Sequence, residues 1–314
     1  MDAFICAGMM IIGRGISRGC IGARTTCLPG WAGVASSRRR NRHRVESSAR
    51  RPFGKRLERF GVEQGMALIK DEAVVLRRLD FSESSQVLAV FTRAHGQQRV
   101  IAKGVKRATR QRASVGIDLL ERGDIVFSQR PGGEERLSPL TEWRQLDHYP
   151  HLRADLARYY AGLYAGEAVA MLTEAHDPHV GLFDGLRKYL ADLSSDEPGL
   201  LLARFLWLLL TEIGLQPELS VCTSCRRLVT EDRVLYFSSR SGGAICRDCE
   251  PASIEKFQLS VGATKITRGG PTDARGVRAA LTMLDYHITE ILGRPLRAAR
   301  SMHATVVKSV SGGG

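Results

Sequence analysis

The sequence predicts an α+β multidomain chain: an N-terminal barrel of five short strands, then a helical bundle interrupted by a four-cysteine ribbon. Three observations predict it. Short runs rich in β-branched and aromatic residues, separated by turn residues, fill positions 66–147. Beyond Tyr149-Pro150 the apolar spacing changes to three and four residues. Two C-x-x-C pairs, Cys222/Cys225 and Cys246/Cys249, stand twenty residues apart within the helical half.

The barrel is read strand by strand. Ala73-Val74-Val75-Leu76 is the first strand, and Phe81 to Ser85 turns the chain. Gln86 to Thr92 is the second, and His95-Gly96 a hairpin turn. Arg99 to Gly104 and Gly123 to Ser128 are the third and fourth strands. After a turn at Pro131-Gly132-Gly133, Arg136 to Leu146 is the fifth, with Pro139 confined to an edge or bulge. Five strands in so short a stretch suit an OB-fold, although an SH3-like barrel reads nearly the same.

In the helical half, Leu152, Leu156, Tyr159, Tyr160, Leu163, Ala170 and Met171 line one side of a long helix ending near His176-Asp177-Pro178. Val180, Phe183, Leu186, Leu190 and Leu193 fit a second helix. Leu200 to Ile213 is apolar nearly all round and so central to the bundle, with Gly214 and Pro217 ending it. A fourth helix runs near Val277 to Leu292, stopped by Gly293 and Pro295. The domain boundaries follow: a leader at 1–65, the barrel at 66–147, the first helical part at 148–219, the ribbon at 220–252, the second helical part at 253–308 and a frayed tail at 309–314.

Charge is unevenly spread. The chain has 314 residues, a net charge of +13 and 43% hydrophobic residues, enough for a real core. Thirteen basic against four acidic residues in 1–65 account for +9 and leave +4 for the rest. The leader shows no sustained periodicity and is expected to be unfolded. Its Arg-rich composition suits a transit peptide or a basic arm on nucleic acid. Met66-Ala67, directly before the first strand, is an alternative start. The longest apolar run, Leu200 to Leu210, is broken by Arg204 and is too short to span a membrane.

Seven cations, Arg93, Arg99, Lys103, Lys106, Arg107, Arg110 and Arg112, fall where no acid occurs from Ser84 to Ile117. A mobile basic loop beside a barrel groove can follow a phosphate backbone; the bland reading is a solvated loop. Further cations stand at Arg226, Arg227 and Arg247 on the cysteine pairs and at Arg294, Arg297 and Arg300.

Two residues between cysteines let both thiolates of a knuckle face one metal, and two knuckles complete a tetrahedral shell. Cys222, Cys225, Cys246 and Cys249 are therefore expected to hold one structural zinc ion, with Val234 to Phe237, a turn at Ser241-Gly242-Gly243 and Ala244-Ile245 as a hairpin between them. An iron–sulfur cluster is the minor alternative. A thioredoxin-like redox motif lacks its βαβ context. A deaminase lacks H-x-E and P-C-x-x-C.

Several segments resemble the RecO family of recombination mediators, over residues 67 to about 303. They are Ala73 to Arg77, Val90 to Gly96, Ala102 to Arg107, Leu146 to Arg153, Gly214 to Leu219, Tyr286-His287-Ile288 and Leu292 to Arg297. Val115 to Leu120 departs from the family by lacking a Pro-aromatic pair, and the leader has no counterpart there. The resemblance implies an OB-fold that binds single- and double-stranded DNA and anneals complementary strands. It implies cooperation with RecR in loading RecA on DNA coated with single-strand-binding protein, whose acidic C-terminal tail docks on the helical domain. It also implies a bacterial cytoplasmic protein of the nucleoid with no catalytic centre. His95, His148, His151, His176, His179, His287 and His303 then read as surface or core residues. The rival reading is a zinc-ribbon factor of transcription or translation.

Overall fold

A computed structural model describes residues 67–107, 116–129, 137–195, 197–230, 235–267, 270 and 273–308. The leader, the turn at Pro131-Gly132-Gly133, Val234, the tail, and Arg110 and Arg112 lie outside the described residues.

The N-terminal half is a closed five-stranded barrel in the order β1-β2-β3-β5-β4. Its strands are β1 (Ala67–Asp80), β2 (Gln86–Thr92), β3 (Gly96–Ala102), β4 (Arg122–Gln129) and β5 (Ser138–Asp147). The parallel β3–β5 contact at Val100↔Ser138 and Ile101↔Pro139 closes it, and this is the OB-fold connectivity. Pro139 sits at this short junction, where a missing N–H costs least.

Strand β1 runs over 14 residues, far beyond the four expected at Ala73–Leu76. Its first half pairs with β4 and its second with β2, so one strand joins both ends of the sheet. A bulge between Val75 and Arg77 marks the handover. The apolar run is explained by two cores. Ala73 and Val75 point into the barrel with Leu88, Val90, Val100, Ile125 and Phe127. Val74 and Leu76 point out, against the helices, with Phe91 and Leu120.

Among the described residues the α-helices are α1 (Pro150–Ala154), α2 (Leu156–Leu172), α3 (Val180–Asp192), α4 (Pro198–Glu212), α5 (Val261–Thr267), α6 (Ala274–Leu292) and α7 (Ala299–Met302), continued by a π-turn at His303–Val307. Helix α4 is central and packs on α2, α3, α5 and α6. The long first helix expected from Leu152 onward is instead two helices. Asp155 breaks it, with ψ 128°, and its carboxylate caps α2 by accepting from Arg158 N–H at 2.8 Å. Of the residues expected to line one side of that helix, Leu152 is buried and Tyr159, Leu163, Ala170 and Met171 pack partly buried against the core, while Leu156 is 60% exposed; the most deeply buried positions of α2 are Ala161, Tyr164, Ala165, Ala168 and Val169. Small residues let the barrel approach closely. Leu120, at φ +63°, reaches into the notch left by Gly162, where a Cβ would lie 2.9 Å from its Cδ1.

The barrel and the bundle are also joined along β3. Gly96 takes φ +65°, and a Cβ there would lie 2.3 Å from the Asp177 carbonyl oxygen, so only glycine fits. The Gln97 side-chain amide donates to the Thr173 carbonyl at 2.7 Å, satisfying an orphan acceptor past the end of α2. Among the described residues no helix is long and apolar enough to cross a membrane.

Candidate metal centre and nucleic-acid interface

The cysteines lie on a small three-stranded sheet in the order β7-β6-β8, built from β6 (Leu235–Ser238), β7 (Gly243–Cys246) and β8 (Phe257–Leu259). The first knuckle is a tight turn: Cys222 N–H donates to the Arg227 carbonyl and Arg226 N–H to the Cys222 carbonyl, each at 2.8 Å. Arg226 takes φ +61° to make it. Cys246 ends β7, and Cys249 N–H returns to its carbonyl at 3.1 Å. Gly243 holds the two halves together. Its φ is +156°, and a Cβ would meet the Glu218 carbonyl oxygen at 2.1 Å.

The four sulfurs lie within 4.8 Å of one another, and Cys225 Sγ is 3.7 Å from Cys246 Sγ. Metal–sulfur bonds of about 2.3 Å in a tetrahedron separate the sulfurs by about 3.8 Å. The donor set therefore fits one tetrahedral ion. No histidine or carboxylate joins the cluster among the described residues, so the shell is all sulfur. Cys246 N–H donates to Cys222 Sγ at 3.4 Å, a bond that favours thiolate. Burial pushes the Cys222 thiol up, but backbone N–H groups of Cys225, Cys246 and Ser224 prevail and hold it at about 6. Hydrogen bonding with Cys246 and Cys225 drives the Cys249 thiol up to about 12. Four thiolates this close repel one another, and a divalent cation removes that cost. Arg227 and Asp248 add an ion pair between the knuckles.

The sequence offers no signal for what fixes this ribbon to the bundle. The Glu255 carboxylate accepts from Ser238 Oγ at 2.8 Å, from the Ser239 and Arg240 N–H groups, and from the Tyr286 hydroxyl of α6. His287, also on α6, contacts Ser239 Oγ at 2.7 Å and the Leu215 carbonyl at 3.1 Å. Burial holds its imidazole below the usual 6.5.

The expected cations of the first half fall into two groups. Arg93, in the β2–β3 turn, binds Asp184 of α3, and Lys106 binds Asp80 at 2.7 Å. Arg99 on β3, with Lys103 and Arg107 just beyond it, is exposed and meets no carboxylate among the described residues. The segment after the loop is tied down by charge as well. Asp118 accepts from Arg78 at 2.8 Å and from Arg153 at 2.9 Å, linking β1, the segment and α1. The near end of the basic segment thus lies beside a barrel wall that the pairs Lys106–Asp80, Arg78–Asp118 and Arg153–Asp118 brace.

A family model described as Recombination protein O N terminal matches residues 66–149, and one described as Recombination protein O C terminal matches residues 153–300. The chain is 32% identical over 251 residues to a DNA repair protein RecO of Anaeromyxobacter dehalogenans (strain 2CP-C), covering 75% of this chain and 96% of that protein. It is 29% identical over 202 residues to a DNA repair protein RecO of Shouchella clausii (strain KSM-K16), covering 64% and 76%. With both family models matched in order, on the barrel and on the helices that flank the cysteine ribbon, the chain belongs to the RecO family of DNA repair proteins.

Proposed function

We propose that this chain binds single- and double-stranded DNA without sequence preference and anneals complementary strands. With RecR it helps load RecA on DNA coated with single-strand-binding protein, and its helical domain docks the acidic tail of that protein. It acts in the bacterial cytoplasm, at the nucleoid, and without a catalytic centre. One zinc ion on Cys222, Cys225, Cys246 and Cys249 is structural, since a four-sulfur shell leaves no open position for water.

The observation that carries the DNA reading is the run of exposed cations Arg99, Lys103 and Arg107, which meet no carboxylate among the described residues, along and beyond β3 of an OB-type barrel. Such barrels hold single strands by cationic grooves. Family membership supports the same reading. Arg93, Lys106, Arg110 and Arg112 belong to the same basic segment.

Anisotropy with labelled oligonucleotides tests it. Single strands and duplexes of unrelated sequence should bind with similar affinity, and binding should weaken as salt rises. Absence of binding at 50 mM salt would contradict the proposal.

A further inference from the structure

The outer face of the barrel is only partly covered by the helices. Beyond Phe91 and Gln97 it opens into a cleft of about 840 Å³, walled on the other side by the end of α2, by residues 175–176 and by Arg297. Its charges are of one sign. Arg77, Ala89 and Arg99 lie directly opposite one another across β1, β2 and β3. Two strand spacings set the arginine backbones about 10 Å apart, and the small Ala89 between them leaves the floor open.

Arg294 lies close to Arg77. Its guanidinium and that of Arg77 both reach Met171 Sδ, at 3.7 and 2.7 Å. A thioether is a weak acceptor and carries no counter-charge. The Glu167 carboxylate accepts the backbone N–H groups of Arg297 and Ala298 at 3.0 and 2.9 Å, and it forms no ion pair with the Arg297 guanidinium among the described residues. Among the described residues no carboxylate lines the cleft. Arginines on both walls with no acid between them leave a site for a polyanion.

The same face carries apolar surface. Leu79, Val87 and Ile101 form the row next to the arginines. Leu79 is 65% exposed, and Phe81 in the adjoining turn is 63% exposed. An exposed ring four residues along the chain from Arg77 suits a nucleobase, which stacks, better than an acidic peptide, which has no flat face to offer.

We propose that a single strand of DNA runs through this cleft, with phosphates on Arg77, Arg99 and Arg297 and a base on Phe81. The inference rests on the DNA-binding reading above. It extends the contact surface from the barrel to the helical domain, so that one strand clamps both.

The test uses the full chain and a fluorescein-labelled oligo-dT. Each lost phosphate contact on a single strand lowers the salt slope by about 0.7. Arg77→Ala with Arg297→Ala should flatten the slope by about 1.4 and weaken binding about 20-fold at 0.1 M salt. Phe81→Ala should weaken it about five-fold or more. Arg204→Ala with Lys308→Ala removes the same charge elsewhere and should change neither value. Photocrosslinking of iodouracil-substituted strand to the unaltered chain, with Phe81 as the expected adduct, gives an answer that needs no variant. If the unaltered chain binds no strand, the DNA reading itself fails and this inference with it. If it binds but the double variant keeps its slope and affinity, or crosslinks fall on neither Phe81 nor the residues that line the cleft, the DNA reading stands and the cleft assignment is overturned. The assignment is equally overturned if the double variant loses binding to a Glu/Asp-rich peptide while its oligo-dT binding is unchanged.

Discussion

The Arg93 guanidinium donates two hydrogen bonds to the Asp184 carboxylate, at 3.1 and 2.9 Å, and so joins the β2–β3 turn to helix α3. Asp184 answers in kind: the Arg93 hydrogen bond holds its carboxyl below the usual carboxylate range. An arginine already held by a carboxylate has less to offer a phosphate. Arg93→Ala is therefore expected to leave the salt slope of single-strand binding unchanged. Arg99→Ala, Lys103→Ala and Arg107→Ala together should flatten it by about 2. The reverse order of effects would mean that the Arg93–Asp184 pair opens on DNA.

Leu120 is a second joint between the barrel and the bundle. It is 2% exposed and packs into α2 beside Gly162 and Gly166, while its backbone sits at φ +63°. Leu120→Ala should cost about 2–5 kcal/mol in denaturant unfolding, the range for a buried leucine. Leu120→Gly should be more stable than Leu120→Ala, because glycine takes this φ without strain. Equal stability of the two variants would show that the left-handed backbone carries no cost.

Metal analysis checks the ribbon. The pure protein should carry one zinc per chain, without iron. Cys246→Ser should lower that content and speed hydrogen exchange over 220–259, while the barrel strands keep their protection. A full complement of zinc in the Cys246→Ser protein would contradict the four-sulfur site.

Stability should depend on pH through His303. Its Nε2 lies 2.7 Å from the Asp285 carboxylate, which also accepts the Tyr164 hydroxyl at 2.6 Å. The hydrogen bond to Asp285 outweighs burial and raises the imidazole above the usual 6.5. A base raised in the folded state stabilises it fully below its unfolded pKa, and the gain is lost as pH climbs through the folded value. His303→Gln should therefore lower the melting temperature more at pH 5.5 than at pH 9. His287, held down by burial, works in the opposite sense. Comparison of His303→Gln with the unaltered chain isolates the one effect, and an equal loss at both pH values would remove it.

Local patterns were legible wherever local interactions decide the structure. Strand β2 is read at Gln86–Thr92 because β-branched residues and aromatics run its whole length. The close approach of the four cysteines is read from spacing alone, since a knuckle is a local turn. Strand β1 is longer than its apolar core because the residues before Ala73 are held by pairing to β4, which the run Lys70-Asp71-Glu72 does not announce. Strand β8 is three residues long and exists through its partner β6. Apolar spacing finds the flank of α2 at Tyr159, Leu163, Ala170 and Met171 but not its deepest positions, because a helix that admits the barrel closely needs alanine and glycine there. Partners distant in sequence, such as Arg93 with Asp184 or Arg77 with Arg297 across the cleft, leave no trace in local pattern.

Annealing tests the central claim most directly. Two complementary oligonucleotides, each coated with single-strand-binding protein, are mixed with the zinc-loaded chain in the absence of any nucleotide, and duplex formation is followed by fluorescence quenching. The chain should accelerate annealing well above the spontaneous rate, ATP should change nothing, and added salt should suppress the effect. Annealing no faster than the spontaneous rate, or acceleration that requires ATP, would contradict the claim.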